Sequence, residues 1–281
     1  MINYLKKWMI NGYKLFINLI ICVFSLTCIF PFIWMINSAL KTNSEFMRDS
    51  LSLASHPHFE NFISAVQTGD FIRNFLNSMG LSIINIILTV LCSFVVGYFI
   101  SRYNFRFRNL IYLLFVSGMV IPVLSLMVPV FIQFKTLHLL DHWYTLILPY
   151  VAFSMPFSVI LVENYIQSIP REMDEAAYIE GCSTFQLLTN IIFPMCSPVL
   201  SIVVINSFIS AWNEFPFSLV LINDEKLRTI SIGIRMFNSE HTVNYPLYIA
   251  ALLISVVPIV VLYLICSKQI MKGMTVGAVK G

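Results

Sequence analysis

The sequence predicts an all-α integral membrane protein with six transmembrane helices, and three observations carry that prediction. Hydrophobic residues make up 58% of the 281 residues and charged residues only 11%, less than half of the roughly 25% charge in an average soluble domain. Mean hydropathy is +0.82. Most directly, six stretches free of Asp, Glu, Lys and Arg are long enough to cross a bilayer, which takes about 20 apolar residues for about 30 Å of hydrocarbon. The formal charge of +3 is too small for a nucleic-acid binder, and the apolar content excludes a disordered chain. The six cysteines (Cys22, Cys28, Cys92, Cys182, Cys196, Cys266) fall mostly inside apolar stretches with no metal or redox spacing, which excludes a disulfide scaffold.

The first span, 15–40, follows Lys6, Lys7 and Lys14. It is too long for a secretory signal core and no small-residue cleavage site follows it, so it reads as a retained helix. The remaining spans are 75–101, 109–134, 142–166, 195–221 and 246–268, which makes 1–281 a single transmembrane domain. Pro122 and Pro129 in the third span, with Pro149 and Pro156 in the fourth, each remove a backbone donor and permit bends. An inside N-terminus places ten Lys/Arg on the cytoplasmic side against seven outside, with the weight carried by the N-terminal lysines and the tight loop holding Arg102, Arg106 and Arg108. The positive-inside rule then puts both termini in the cytoplasm. All five histidines fall in outer loops, including His56, His58 and the pair His138/His142, without a supporting Cys or carboxylate set. They read as solvated, with no metal bound.

The loop 168–194 between spans four and five is unlike its neighbours. From Gln167 to Gly181 it carries one Arg against four carboxylates. Ser168 as cap, Pro170 in the first turn and acidic residues near the N-terminal end spell a short helix, which Gly181 stops. Ser183 with Gln186 forms a capping box for a second helix, and Pro194 ends or kinks it. A helix lying on lipid headgroups prefers a basic polar face. This face is acidic, and Ala176 and Ala177 offer a small-residue surface, so a protein partner is the better reading.

Glu175-Ala176-Ala177, three residues, Gly181, nine residues and Ile191-Ile192-Phe193-Pro194 resemble the EAA motif of permease subunits in prokaryotic ATP-binding-cassette importers (E-A-A-x3-G-x9-I-x-L-P), with Phe193 where Leu is usual. Trp212-Asn213-Glu214-Phe215 with Leu219, the run Leu227-Arg228-Thr229-Ile230 and the C-terminal segment from Lys272 to Gly281 resemble the carbohydrate branch, the second maltose-type permease. The resemblance covers the whole chain. It implies a coupling helix around Glu175, Ala176, Ala177, Gly181, Ile191 and Pro194 that seats in an ATPase subunit, and a tail, 269–281, whose Gly273, Gly277, Lys280 and Gly281 also reach the ATPases. The glycines leave that tail flexible. It further implies a second homologous permease, two ATP-binding subunits or a homodimer of one, an extracytoplasmic solute-binding protein, and a place in a prokaryotic plasma membrane.

The chain has no G-x-x-x-x-G-K-[ST] loop, no G-x-S-x-G elbow and no H-E-x-x-H motif. No catalytic residue is expected; ATP and magnesium belong to the partner subunits, and this chain binds no cofactor. Polar side chains at membrane depth line a path or meet a neighbouring helix. The substrate-path candidates are Asn77 and Asn85 in the second span, then Asn206, Ser210, Trp212, Asn213 and Glu214 in the fifth, with interhelical hydrogen bonding as the alternative for each Asn and Ser. The membrane runs carry no basic residue, which favours a neutral sugar over an anionic solute such as a glycerol phosphate. An ion-coupled secondary transporter would require intramembrane carboxylates, and only Glu163 and Glu214 lie at run ends.

Overall fold

A computed structural model describes residues 2–237 and 244–278, with side chains described for 14–235, 237 and 244–269. It divides into two compact units, one of 1–68 with 237–254 and one of 69–236 with 255–281. No strand occurs among the described residues.

In the first unit, α1 (Ile2–Ala39) is apolar from Lys14 to Ala39, and only Ser38 and Ala39 at the end of that stretch are buried by the rest of the chain, as suits a helix facing lipid. Two short helices follow, α2 (Asn43–Arg48) and α3 (Glu60–Gln67). Their loop is tied back onto α1 by buried polar groups. Asn37 Nδ2 donates to Ser52 O at 2.7 Å and Trp34 Nε1 to Ser50 O at 2.9 Å. Lys41 is fully buried, its ammonium donating to Asp49 O at 2.9 Å and Ser52 Oγ at 3.2 Å.

The second unit is built on α4 (Phe71–Arg102) and α7 (Ile147–Gln167), with α11 (Ser197–Trp212) packed on both. Between them in sequence lie α5 (Arg108–Val120), α6 (Met127–Thr136), α8 (Glu172–Ile179), α9 (Thr184–Gln186) and α10 (Phe193–Met195). Two small helices, α12 (Pro216–Leu221) and α13 (Ile230–Met236), follow α11, and α14 runs from Tyr245 to Ala278. The buried residues of α4 include Ser78, Ser82, Asn85, Thr89 and Ser93, with Asn85 reaching Ser207 of α11 and Ser78 accepting from the Ile230 N–H of α13, so small polar residues let the backbones approach closely. The crossing is tightest at Gly97, where a Cβ would sit 3.0 Å from Val162 Cγ1 and 3.1 Å from the Glu163 backbone nitrogen. Gly97→Val is expected to force the pair apart and lower stability by about 1–3 kcal/mol, read as an earlier thermal transition of the detergent-purified protein.

Four helices pass as uninterrupted spans: Lys14–Ala39, Phe71–Arg102, Ile147–Gln167 and Tyr245–Gln269. The third and fifth expected spans are broken. Arg108–Val120 and Val123–Thr136 meet at 96°, because Pro122 supplies no N–H and holds Ile121 in extended backbone, φ −71° and ψ 121°. Thr184–Met195 and Ser197–Trp212 meet at 77° across Cys196, two residues past Pro194. The expected span 195–221 is interrupted again before α12, and the fourth begins at Ile147 rather than at 142. The tail expected to be flexible continues α14 as helix through Ala278, placing Gly273 and Gly277 inside it; Lys280 and Gly281 lie outside the described residues.

Candidate functional site

The loop between α7 and α11 folds as two short helices around one glycine. Ser168 is not the cap of α8. It closes α7 instead, its Oγ donating to Tyr165 O at 2.7 Å, and Arg171 occupies the N-cap of α8. Glu172, Asp174 and Glu175 fill the first turn of α8, where the helix dipole favours them. Gly181 sits at φ +82°, with Gly181 N–H donating to Tyr178 O and Cys182 N–H to Ala177 O, the paired bonds of a left-handed helix stop that a side chain would strain. Ser183 and Gln186 then make a reciprocal capping box. A π-helical turn, Leu187–Ile192, carries the chain into α10, with Ile191 half-buried and Pro194 exposed.

The two faces of α8 differ in kind. Asp174 and Ala177 point inward, Ala177 at 4% exposure in a core with Tyr98, Ile166, Ile169 and Leu187. The expected small-residue surface is therefore halved: adjacent helical residues lie about 100° apart, and only Ala176 faces out. Glu175 is exposed beside it. So are large apolar side chains that residue-type reasoning passed over, Ile179 at 86% and Phe185 at 75%. Asp174 Oδ2 forms an ion pair with Arg102 Nε at 2.8 Å, and Arg102 Nη2 donates to Ile169 O at 3.1 Å. Tyr178 lies 3.4 Å from the hydroxyls of both Thr184 and Tyr103. The hydroxyls of Thr184 and then Tyr103 hold its phenol below the ordinary tyrosine range. The 168–194 loop is thus tied by hydrogen bonds and an ion pair to the end of α4.

The substrate-path candidates separate into two groups. Asn77 Nδ2 donates to Lys226 O at 2.8 Å and Arg228 O at 3.0 Å, and buried Asn85 donates to Ser207 O at 3.0 Å. Trp212 is buried with its indole N–H on Ser255 O. Glu214 accepts from Phe217 N–H at 2.6 Å, Ser218 N–H at 3.0 Å and Tyr150 Oη–H at 2.9 Å, fixing the start of α12. These four residues hold the protein together. Asn206, Ser210 and Asn213, spaced at four and three residues, remain half-buried or exposed on or at the end of α11.

At the other end of α7 from the 168–194 loop, Asp141 holds two loops together. Its carboxylate accepts from the N–H groups of Asn223 and Asp224 and from the Asn223 side chain. Burial pushes this carboxyl up, but those bonds outweigh it and hold it below the ordinary aspartate range. A depressed carboxylate stabilises the fold above its unfolded pKa and loses that contribution only as pH falls through the lower folded value. The latch is therefore intact at neutral pH and opens only on the acid side of the ordinary range. Asp141→Asn is expected to weaken it by about 1 kcal/mol, seen as faster limited proteolysis within 137–146.

No group of His, Cys, Asp and Glu among the described residues could hold a metal. A family model described as "Binding-protein-dependent transport system inner membrane component" matches residues 90–270. The probable ABC transporter permease protein YurM of Bacillus subtilis (strain 168) is 33% identical over 98% of this chain and 91% of its own. The trehalose/maltose transport system permease protein MalG of Thermococcus litoralis is 32% identical over 92% of this chain and 93% of its own. In fold, a solved bacterial ABC transporter involved in import of the acidic polysaccharide alginate matches with a TM-score of 0.79 at 19% identity, covering 91% of this chain and 95% of that one. On a match spanning more than half its length, this chain belongs to the binding-protein-dependent transport system inner membrane components, and is a membrane transport subunit rather than an enzyme.

Proposed function

We propose that this chain is one of two permease subunits of an ATP-driven importer that moves a neutral sugar into a prokaryotic cell. The observation that carries the reading is the outer face of the coupling loop. Ile179 and Phe185 stand exposed among Glu172, Glu175 and Glu180, an apolar centre with a charged rim of the kind protein interfaces use. One of two ATP-binding subunits docks there, on the cytoplasmic side, and a second homologous permease completes the pathway beside the six spans of this chain, the two bent helix pairs each counting as one. An extracytoplasmic solute-binding protein delivers substrate to the outer loops. The sugar class is supported by the trehalose/maltose relative and by amide and hydroxyl groups at Asn206, Ser210 and Asn213 with no basic residue in the membrane runs. Both termini then lie in the cytoplasm, in keeping with the basic turn at Arg102–Arg108.

Whole-cell uptake of a labelled oligosaccharide, competed with a panel of unlabelled neutral and anionic saccharides, tests the class. Neutral sugars are expected to compete and anionic ones to fail. Competition by uronates or sugar phosphates alone would overturn the neutral assignment.

A further inference from the structure

We propose that the arginine-lined cavity at the coupling-loop end of α4 and α7 is a phosphate site that holds the headgroup phosphate of an anionic phospholipid. The cavity measures about 550 Å³, and its wall includes Ser101, Arg102, Arg108, Gln167, Ile169 and Arg171. Three guanidinium groups thus border one polar space at the ends of two apolar helices. Their commitments are unequal. Arg102 is paired with Asp174. Arg108 is fixed by its own turn, Nε donating to Ile100 O at 2.7 Å and Nη1 to Asn104 Oδ1 at 3.2 Å. Arg171 is exposed, with no carboxylate partner among the described residues. Of the other acids in this region, Glu163 accepts from the Gln167 side chain, and Glu172, next to Arg171 in sequence, is exposed with no ion pair among the described residues. Of the three guanidinium groups, that of Arg171 alone has no hydrogen-bond or ion-pair partner among the described residues.

An independent observation points the same way. Ser101, a residue of this cavity's wall, is only 3% exposed, and its Oγ has no hydrogen-bond partner. Buried hydroxyls are seldom left without one. A phosphate oxygen in the cavity would accept from Ser101 Oγ–H and from the arginines together, since guanidinium groups match phosphate geometry. The source of that phosphate is argued from position. Phe99, Tyr103, Phe105 and Phe107 stand exposed beside the cavity, where α4 ends and α5 begins, an aromatic belt at the level of the headgroups. A lipid reaching this level lays its acyl chains along the apolar helices and its phosphate among the arginines. Basic pockets between membrane helices hold anionic headgroups in this way.

The test uses the full-length chain extracted from membranes in mild detergent, with phosphatidylglycerol as probe, phosphatidylethanolamine as the zwitterionic comparison and inorganic phosphate as competitor. Native mass spectrometry is expected to show phosphatidylglycerol retained in preference to phosphatidylethanolamine. Arg171→Gln should lower that retention about fivefold, and Arg171→Lys should keep most of it. Ser101→Ala should lower it too, which a long-range surface charge would not produce. Because the Arg171 side chain supports no other part of the fold, its loss reports on the site and not on misfolding. Equal retention by the wild type, Arg171→Gln and Ser101→Ala would overturn the site. Displacement of the lipid by inorganic phosphate would overturn the lipid assignment in favour of a soluble phosphate. The result stands apart from the importer reading, since no ATPase subunit enters the measurement.

Discussion

An Ile179→Asp chain is expected to insert and fold normally, yet to lose its ATP-hydrolysing partners on purification and sugar uptake with them. Ile179 is the last residue of α8, 86% exposed, so nothing inside this chain depends on its side chain. On the proposed reading, an isoleucine this exposed, in a loop that also exposes Phe185 and three carboxylates, is covered by another protein. Apolar side chains at the centre of an interface carry a disproportionate share of its affinity, with truncations costing about 2 kcal/mol or more, or on the order of thirtyfold in association. A buried unpaired carboxylate in the same place costs more than a truncation. Co-purification in mild detergent measures the loss directly, and uptake should fall in step. Retention of the ATPase at wild-type stoichiometry would remove the outer face of α8 from the interface.

How much of this was legible beforehand depends on distance along the chain. The Gly181 stop and the Ser183–Gln186 box rest on contacts a few residues apart, so residue type and spacing were enough to anticipate them. The kinks were half legible. Pro122 marks where the third span breaks and its missing N–H permits the bend, but the residue type alone does not give the 96° at which the two pieces meet. Which of Ala176 and Ala177 faces outward was invisible, because that depends on where the C-terminal end of α4 lies. The same limit applies to Trp212 and Glu214. Their chemistry suits a sugar, but Ser255 O takes the indole N–H and the first turn of α12 takes the carboxylate. Residue type says which bonds a side chain is able to make, and only the fold says which partner arrives first.

The second large effect is expected from the ion pair that those local rules missed, Arg102 with Asp174. The 2.8 Å bond joins the last residue of α4 to the inner face of α8, with side-chain exposures of 6% and 12%. Asp174→Leu alone leaves the Arg102 guanidinium with Ile169 O and an apolar neighbour, and breaking a buried pair this way costs about 3–5 kcal/mol, somewhat less here because Asp174 is not fully enclosed. The double variant Arg102→Met/Asp174→Leu removes both charges and is expected to recover most of that loss, since a buried pair replaced by apolar side chains of similar size is often close to neutral. The functional outcome should separate from the stability outcome. Ile179 and Phe185 remain on the outer face, so the double variant still carries its ATPase subunits. Without the ion pair, however, a displacement of α8 reaches α4 only through softer contacts, Ala177 against Tyr98 and Tyr178 against Tyr103. ATP hydrolysis by the purified complex should then persist while substrate-dependent stimulation and uptake fall together, the signature of a docked but disconnected motor. Wild-type uptake in a stable double variant would show that the ion pair only holds the loop in place, and that the aromatic contacts alone carry the motion.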